Sequence, residues 1–94
     1  MTLQAEPSVQ VDNDRTRVTE WRFAPGAETG WHRHEHDYVI VPMLDGSLKI
    51  AQPDGSETLA PLNAGQSYFR QAGVEHNVIN ANDFAFAFVE IEFK

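Results

Sequence analysis

Most of this chain consists of short segments in which apolar residues alternate with polar ones or run together, and these segments are rich in β-branched and aromatic side chains. They include RVTEWRF, YVIV, SLKIAQ, QSYFR, HNVIN and FAFAFVEIEF. Turn-forming stretches separate them, namely DND, APGAETG, DG, PDG, NAG and NAND. Because no stretch of useful length has helical periodicity, the pattern predicts an all-β protein of about seven or eight short strands.

The spacing of the turn signals also indicates how these strands pair. A turn signal recurs about every ten residues, which is typical of an antiparallel sandwich or barrel. The PDG between SLKIAQ and SETLA favours a hairpin at that point. We therefore predict one antiparallel barrel domain over residues 15–94, with residues 1–14 as an N-terminal tail or first strand.

Length and charge narrow the class of protein further. A chain of 94 residues has room for one core and no second domain. Its net charge of -7 repels phosphate backbones and anionic membrane surfaces, so neither nucleic acid nor a membrane is an expected partner. The sequence has no signal-peptide pattern and no apolar run of about 18 residues, so we expect a cytoplasmic protein.

The last predicted strand is apolar on both faces. Alternate positions from Phe84 to Phe88 are phenylalanine, and those from Ala85 to Val89 are alanine or valine. One face can pack inside the barrel, but the other needs a cover, because a contiguous exposed apolar patch is unusual on a monomer. We expect a homodimer to provide that cover. The alternative is that the N-terminal strand of the same chain lies over this face.

Histidine spacing points to a metal site. His32, His34 and His36 alternate in the run WHRHEH, and a period of two places His32 and His34 on one face of a strand. His76 follows about forty residues later, where a closing barrel could bring it opposite that pair. Three imidazoles would suit Fe(II), Zn, Ni, Mn or Cu and leave coordination positions open. The simpler alternative is that these are ordinary surface or core histidines.

The spacing of glycines around these histidines resembles the two motifs of the cupin family. The first, G-x5-H-x-H-x3,4-E-x6-G, is matched from Gly26 to Gly46 with Val39 in place of the glutamate. The second, G-x5-P-x-G-x2-H-x3-N, is matched from Gly65 to Asn80 with Gln71 in place of the proline. All other motif positions agree with the family.

This resemblance implies a single cupin, or jelly-roll, β-barrel with its first motif at 26–46 and its second at 65–80. It also implies that His32, His34 and His76 bind one divalent transition metal ion. In the family the motif glutamate is a fourth ligand, and Val39 cannot bind a metal. Metal identity and occupancy are therefore open, and a neutral three-histidine site should prefer an anionic or chelating small molecule.

Other residues are candidates for an outer layer around the metal or for the pocket wall: His36, Tyr38, Tyr68, Arg70 and Asn80. His36 could be a ligand, an outer donor or a proton carrier, but we favour a turn histidine that faces solvent. Arg70 could receive a carboxylate or simply be a solvated strand-edge residue. Asn80 could hold loop backbone. Further candidates for the barrel lining are Trp21, Trp31, Tyr38, Met43, Tyr68, Phe86 and Phe88.

These features favour a metal-dependent enzyme, of dioxygenase or isomerase type, that acts on a small anionic metabolite. The alternative is a cupin that binds or senses a small ligand without turnover, and a third hypothesis is a structural barrel with a vacant site. No general base is identifiable, so catalytic residues are unassigned. The stretches GWHRH and GVEHNVIN are similar to short one-domain cupins of β-alanine degradation, which implies a pathway and not a reaction.

Overall fold

A computed structural model describes residues 3–94, which form nine β-strands and no helix. Because the described part has no helix, it has none that is long and apolar enough to cross a membrane. The all-β prediction is confirmed. The strands are β1 (Glu6–Asp12), β2 (Thr16–Phe23), β3 (His32–Arg33), β4 (Asp37–Pro42), β5 (Gly46–Ala51), β6 (Glu57–Leu62), β7 (Tyr68–Arg70), β8 (Glu75–Asn80) and β9 (Phe86–Phe93).

The strands form two antiparallel sheets that pack face to face as a jelly roll. The large sheet has the order β1-β2-β9-β4-β7, and the small sheet has the order β3-β8-β5-β6. Strands that are distant in sequence are neighbours in both sheets, as β2 is with β9 and β3 is with β8. The prediction of antiparallel pairing is confirmed, and the ladders of residues 3–94 form two sheets, not one closed barrel.

Inward-facing side chains of both sheets build the core at one end of the molecule. Phe23 and Phe88 of the large sheet have ring centroids 5.4 Å apart, and Phe86 is buried beside them. Leu48 and Val78 of the small sheet pack against this group. Burying side chains of this size contributes about 1.5–3 kcal/mol each to the stability of the fold. The other end of the space between the sheets remains open as a cavity.

The N-terminal segment joins the two sheets at one corner. The backbone N–H of Ala5 donates to the Glu28 carbonyl (2.8 Å), and the Glu28 N–H donates to the Leu3 carbonyl (3.0 Å). The next residue, Thr29, donates its N–H to the carbonyl of Val78 in β8 (2.9 Å). The chain is therefore bonded to the small sheet before β1 enters the large sheet.

Asn80 fixes the loops around the core and does not reach the cavity. It is 2% exposed, and its Nδ2 donates to the carbonyls of Phe23, Ala24 and Phe84 at 2.9–3.2 Å. Its Oδ1 accepts from the backbone N–H of Asn82 (2.9 Å). Of the two roles considered for this motif asparagine, the structure supports the one that holds loop backbone.

Two candidates for the barrel lining lie outside the barrel, and so does Phe84, which the sequence placed on the same strand face as Phe86 and Phe88. Phe84 precedes β9 and is 43% exposed, whereas Phe86 and Phe88 are buried. Trp31 and Met43 are about half exposed. Trp31 and Met43 therefore do not line the barrel, and Phe84 does not share the buried face of β9, because each lies in a loop where the alternation of a strand no longer sets the direction of the side chain.

The outer face of the large sheet carries a row of apolar side chains that crosses all five strands. In the register of the sheet, the members lie directly opposite one another in the order Val11, Val18, Ile91, Val39 and Phe69. We call these five residues the outer apolar row. Strand β1 extends the sheet at its edge and does not lie over this row, so the N-terminal strand is not the cover that the sequence left as an alternative.

Gly46, the last glycine of the first motif, is required by close packing against Phe86. A Cβ at this position would lie 2.8 Å from the Phe86 ring. We expect Gly46→Ala to lower the free energy of unfolding by about 1–3 kcal/mol through overpacking, as measured by urea denaturation. The loss in free energy of unfolding should be smaller in a Phe86→Leu background, where the aromatic ring is absent. An equal penalty in both backgrounds would contradict this explanation.

Candidate metal centre

A cavity of about 630 Å³ occupies the rest of the interior and borders the phenylalanine core, since Phe88 lines it. Its walls include apolar side chains from both sheets, among them Ile40, Ile50 and Val78. The three histidines of the sequence prediction, His32, His34 and His76, also line it. The cavity wall therefore combines apolar side chains from both sheets with polar groups that include the three histidines.

Strand register brings the three histidines together. His32 of β3 lies directly opposite His76 of β8, and paired residues of adjacent strands share a face. His34 lies beyond the end of β3, where its N–H donates to the Val74 carbonyl and its carbonyl accepts from the Gly73 N–H, both at 2.8 Å. Gly73 has a φ of 101°, which favours glycine and explains this glycine of the second motif.

The Nε2 atoms of the three rings converge on one point. His34 Nε2 lies 3.0 Å from His32 Nε2 and 3.1 Å from His76 Nε2. Two nitrogens bound at right angles to one ion, each at a typical length of about 2.1 Å, are about 3.0 Å apart. Both spacings from His34 within this three-histidine cluster therefore fit a single transition metal ion, and one ligand nitrogen from each histidine lies within 4.8 Å of the others.

The proton on His32 is fixed on the nitrogen that faces away from the cluster. His32 Nδ1 lies 2.9 Å from the Gly30 carbonyl, which can only accept a hydrogen bond. The Gly30 N–H in turn donates to Asn77 Oδ1 (3.0 Å), which holds this carbonyl in place. A neutral His32 therefore presents the Nε2 lone pair to the cluster. Gly30 and Asn77 were not identified from the sequence, because backbone acceptors leave no residue-type signal.

Burial keeps the other two histidines uncharged. It lowers the pKa of His34 to about 4, and the neighbouring His32 adds to this effect. Burial also lowers the pKa of His76 to about 3, assisted by the charges of His32, His34 and Arg70. A neutral ring has one proton and can donate it to only one neighbour, whereas a metal ion would bind the Nε2 lone pairs of all three rings. The donor set is therefore suited to a divalent transition metal ion at the shared point.

Glu90 of β9 is a buried carboxylate behind the cluster. It is 7% exposed, its Oε2 lies 3.7 Å from His34 Nδ1, and it accepts a hydrogen bond from Trp21 Nε1 at 3.4 Å. Burial, followed by the nearby charge of Glu92, raises the pKa of Glu90 to about 7. Glu92 itself is held by Arg17 through two contacts of 3.2 Å.

Sequence reasoning missed Glu90, although a signal was present. Glu90 follows Phe86 and Phe88 at the strand period of two, so it shares their inward face. A carboxylate on the inward face of an apolar strand is rarely buried without a functional partner. That observation would have placed Glu90 in the interior, but not beside His34, because strand alternation does not show which strands face each other.

Strand β4 turns Tyr38, and not Val39, toward the histidines. The Tyr38 ring stacks on His34 with centroids 3.9 Å apart and planes 19° apart. Val39 belongs to the outer apolar row. Matching the motif glutamate to Val39 by residue count therefore chose a side chain on the wrong face. Burial raises the pKa of the Tyr38 hydroxyl and that of Tyr68, which also lines the cavity.

The remaining two candidates differ in their relation to the cavity. Arg70 of β7 lies opposite Tyr38 in the register and lines the cavity. Within residues 3–94 it forms no ion pair. His36 lies outside the cluster, half-buried in the loop between β3 and β4. Because β3 ends at Arg33, the strand alternation that would have pointed His36 inward does not extend to it.

Comparison with known proteins agrees with this fold. Residues 19–92 match the family described as Cupin domain. The chain is 65% identical to Beta-alanine degradation protein BauB of Pseudomonas aeruginosa, over 97% of this chain and 95% of that protein.

Two crystal structures illustrate the likeness in three dimensions. A cupin domain from Bordetella pertussis is 56% identical with a TM-score of 0.96, covering 100% of this chain and 97% of that one. A double-stranded β-helix domain protein from Klebsiella pneumoniae is 26% identical with a TM-score of 0.76. The match covers 94% of this chain and 75% of that one. With its jelly roll, its two glycine and histidine motifs and these relatives, the chain belongs to the cupin domain family.

Proposed function

We propose that this protein binds one divalent transition metal ion through His32, His34 and His76 and uses it to act on a small anionic metabolite. The observation that carries the proposal is the convergence of three imidazole Nε2 atoms at one point of an internal cavity. Fe, Zn, Ni, Mn and Cu all accept imidazole ligands. When bound, the ion would supply Lewis acidity and open positions for a ligand.

The cavity walls support binding of a small molecule beside the cluster. Ile40, Ile50 and Val78 provide apolar surface that excludes water from the ligand. The hydroxyls of Tyr38 and Tyr68 remain protonated because burial raises their pKa, so they can donate hydrogen bonds to an anion. Isomerase and dioxygenase chemistry are both compatible with such a pocket.

Arg70 supports the anionic character of the ligand. Its guanidinium lines the cavity and forms no ion pair within residues 3–94, whereas Arg17 is taken by Glu92. A free guanidinium binds a carboxylate through two parallel hydrogen bonds. We propose that Arg70 receives the carboxylate of the metabolite while another group of the same molecule faces the histidines.

The name of the BauB relative indicates a chemical class for the metabolite. Similarity to a β-alanine degradation protein suggests a three-carbon carboxylic acid. Transfer of the amino group of β-alanine to an oxo acid leaves 3-oxopropanoate, a β-oxo acid whose two oxygen functions can chelate a metal. The alternative function is ligand binding without turnover. Oxygen uptake and product detection by NMR with metal-loaded protein separate the two, since a non-catalytic cupin would return every acid of a three-carbon panel unchanged.

Loss of His76 should abolish metal uptake without unfolding the protein. We expect His76→Ala to reduce metal content from about one ion per chain to near zero, as measured by elemental mass spectrometry after reloading. The matched control is His36→Ala, which lies outside the cluster and should retain the metal. Circular dichroism checks the fold of both variants. Full metal content in His76→Ala would contradict the proposed site.

Loss of the Arg70 charge should weaken binding of carboxylates. We expect Arg70→Met to reduce the affinity of the metal-loaded protein for malonate or 3-hydroxypropionate by about 10-fold to 100-fold, measured by calorimetry. Arg70→Lys should lose less affinity for these acids than Arg70→Met, because lysine retains the charge but not the two parallel donors. Arg15→Met, in an exposed turn, is the control. The proposed role of Arg70 is wrong if Arg70→Met binds these acids as well as Arg15→Met does.

We also propose that a second copy of the chain covers the outer apolar row, forming a homodimer. The row spans the full width of the large sheet, and its ends are open, with Val11 41% exposed and Phe69 55% exposed. No strand of residues 3–94 lies over it. A two-fold axis would place the row of one subunit on the same row of its partner, burying both.

A charge in the middle of the outer apolar row should separate the two subunits. We expect Val39→Glu to shift the protein from dimer to monomer in size-exclusion chromatography with light scattering, because a buried unpaired carboxylate opposes association. The control is Leu59→Glu on the small sheet, where the leucine is 63% exposed. A monomeric wild type, or a dimeric Val39→Glu variant, would count against this interface.

A further inference from the structure

We infer that Glu90 is a positioning residue of the metal centre, which accepts a hydrogen bond from His34 Nδ1–H and supplies the negative charge that the first motif lacks. This inference rests on the proposed metal function. In the family motif the carboxylate comes from the segment that contains β4. In this chain it would come from β9.

Charge balance is the first argument. A divalent ion held by three neutral imidazoles keeps its full charge, and none of the three ligands is a carboxylate. Two inward-facing carboxylates of β9 line the same cavity, Glu90 and Glu92. Glu92 is already engaged by Arg17 through two contacts of 3.2 Å. Glu90 has no arginine or lysine within ion-pairing distance among residues 3–94, so its charge is available to the metal centre.

Geometry decides which role Glu90 takes. His34 directs Nε2 at the other two histidines, and Nδ1 lies on the opposite side of the ring. Because Glu90 Oε2 is near Nδ1, it lies behind the ligand ring and not among the ligands. The separation of 3.7 Å exceeds a charge-assisted hydrogen bond by about 1 Å. Metal bound at Nε2 makes the Nδ1–H a stronger donor and favours closing this gap.

The same arrangement occurs on His32 with a neutral acceptor. There the Gly30 carbonyl takes the Nδ1 proton at 2.9 Å. Each of these two rings therefore has an acceptor behind it that leaves Nε2 free for a metal. Of the two acceptors, only that of His34 carries a charge, which makes Glu90 the group that offsets the ion.

Because Glu90 is buried, its charge should affect stability in opposite directions with and without metal. At 7% exposure, the ionised carboxylate has lost most of its hydration, and the Trp21 N–H at 3.4 Å offsets only part of that cost. Arg17 also attracts this charge, but it is paired with Glu92 and forms no ion pair with Glu90, so without a metal ion Glu90 should destabilise the fold. With a metal on His34, the same charge should stabilise the complex. A residue that only fills space would not show this change of sign.

The test measures metal affinity and thermal stability of Glu90→Gln at pH 8. We expect Zn²⁺ affinity, from competition with a chromogenic chelator, to fall about 10-fold to 100-fold. The metal-free variant should melt at the same temperature as the wild type or higher. Glu20→Gln is the matched control, since Glu20 has similar burial, 8% exposed, on the outer face of the same sheet. Its Zn²⁺ affinity should stay within about threefold of wild type.

A second variant and a spectroscopic probe complete the test. Glu90→Asp keeps the charge but holds it farther from His34, because its side chain is one methylene shorter. Its loss of Zn²⁺ affinity should therefore be smaller than that of Glu90→Gln. The visible spectrum of the Co²⁺ form should keep its coordination pattern in Glu90→Gln, because Glu90 is not a ligand.

Three outcomes would overturn the inference. The first is Zn²⁺ affinity in Glu90→Gln within threefold of wild type, and the second is a metal-free melting temperature that falls as far as the metal-loaded one. The third is a Co²⁺ spectrum that changes coordination. A wild-type protein that binds no Zn²⁺ or Co²⁺ would instead refute the proposed metal function itself, which keeps the two failures distinguishable.

Discussion

The three imidazole rings in the cavity place their Nε2 atoms close together, with His34 Nε2 3.0 Å from that of His32 and 3.1 Å from that of His76. The Gly30 carbonyl fixes the proton of His32 on the far nitrogen, and burial keeps His34 and His76 uncharged. One proton can join only two of the three nitrogens, whereas a metal ion can bind all three lone pairs at once. The rest of the interior either holds these rings or adjusts the charge around them.

The two sheets contribute different parts of this centre. The small sheet supplies His32 and His76 on paired strands, so their relative position follows from backbone hydrogen bonds. The large sheet supplies charged groups, with Glu90 behind His34 and Arg70 in the cavity wall. The phenylalanine core at the other end holds the sheets against each other. Sites built on packed strands keep their geometry more precisely than sites on loops.

Several features followed from the sequence because they depend on local interactions. Strand segments come from period-two alternation, and turns come from residues such as Gly73 whose φ favours glycine. The spacing around His32, His34 and His76 identified the residues that the structure brings together. In contrast, His34 lies beyond the end of β3, so it joins the cluster through loop hydrogen bonds and not through the strand alternation that predicted it.

Tertiary structure alone decided how those local elements are combined. The sequence determined an all-β chain with an interior histidine motif, but not that β9 would bring Glu90 behind His34, because that contact joins residues far apart in sequence. It did not show that β4 turns Tyr38 inward and Val39 outward, since a shift of one residue reverses every side chain of a strand. Local patterns fix which segments are strands, whereas strand pairing and packing decide which of their faces meet.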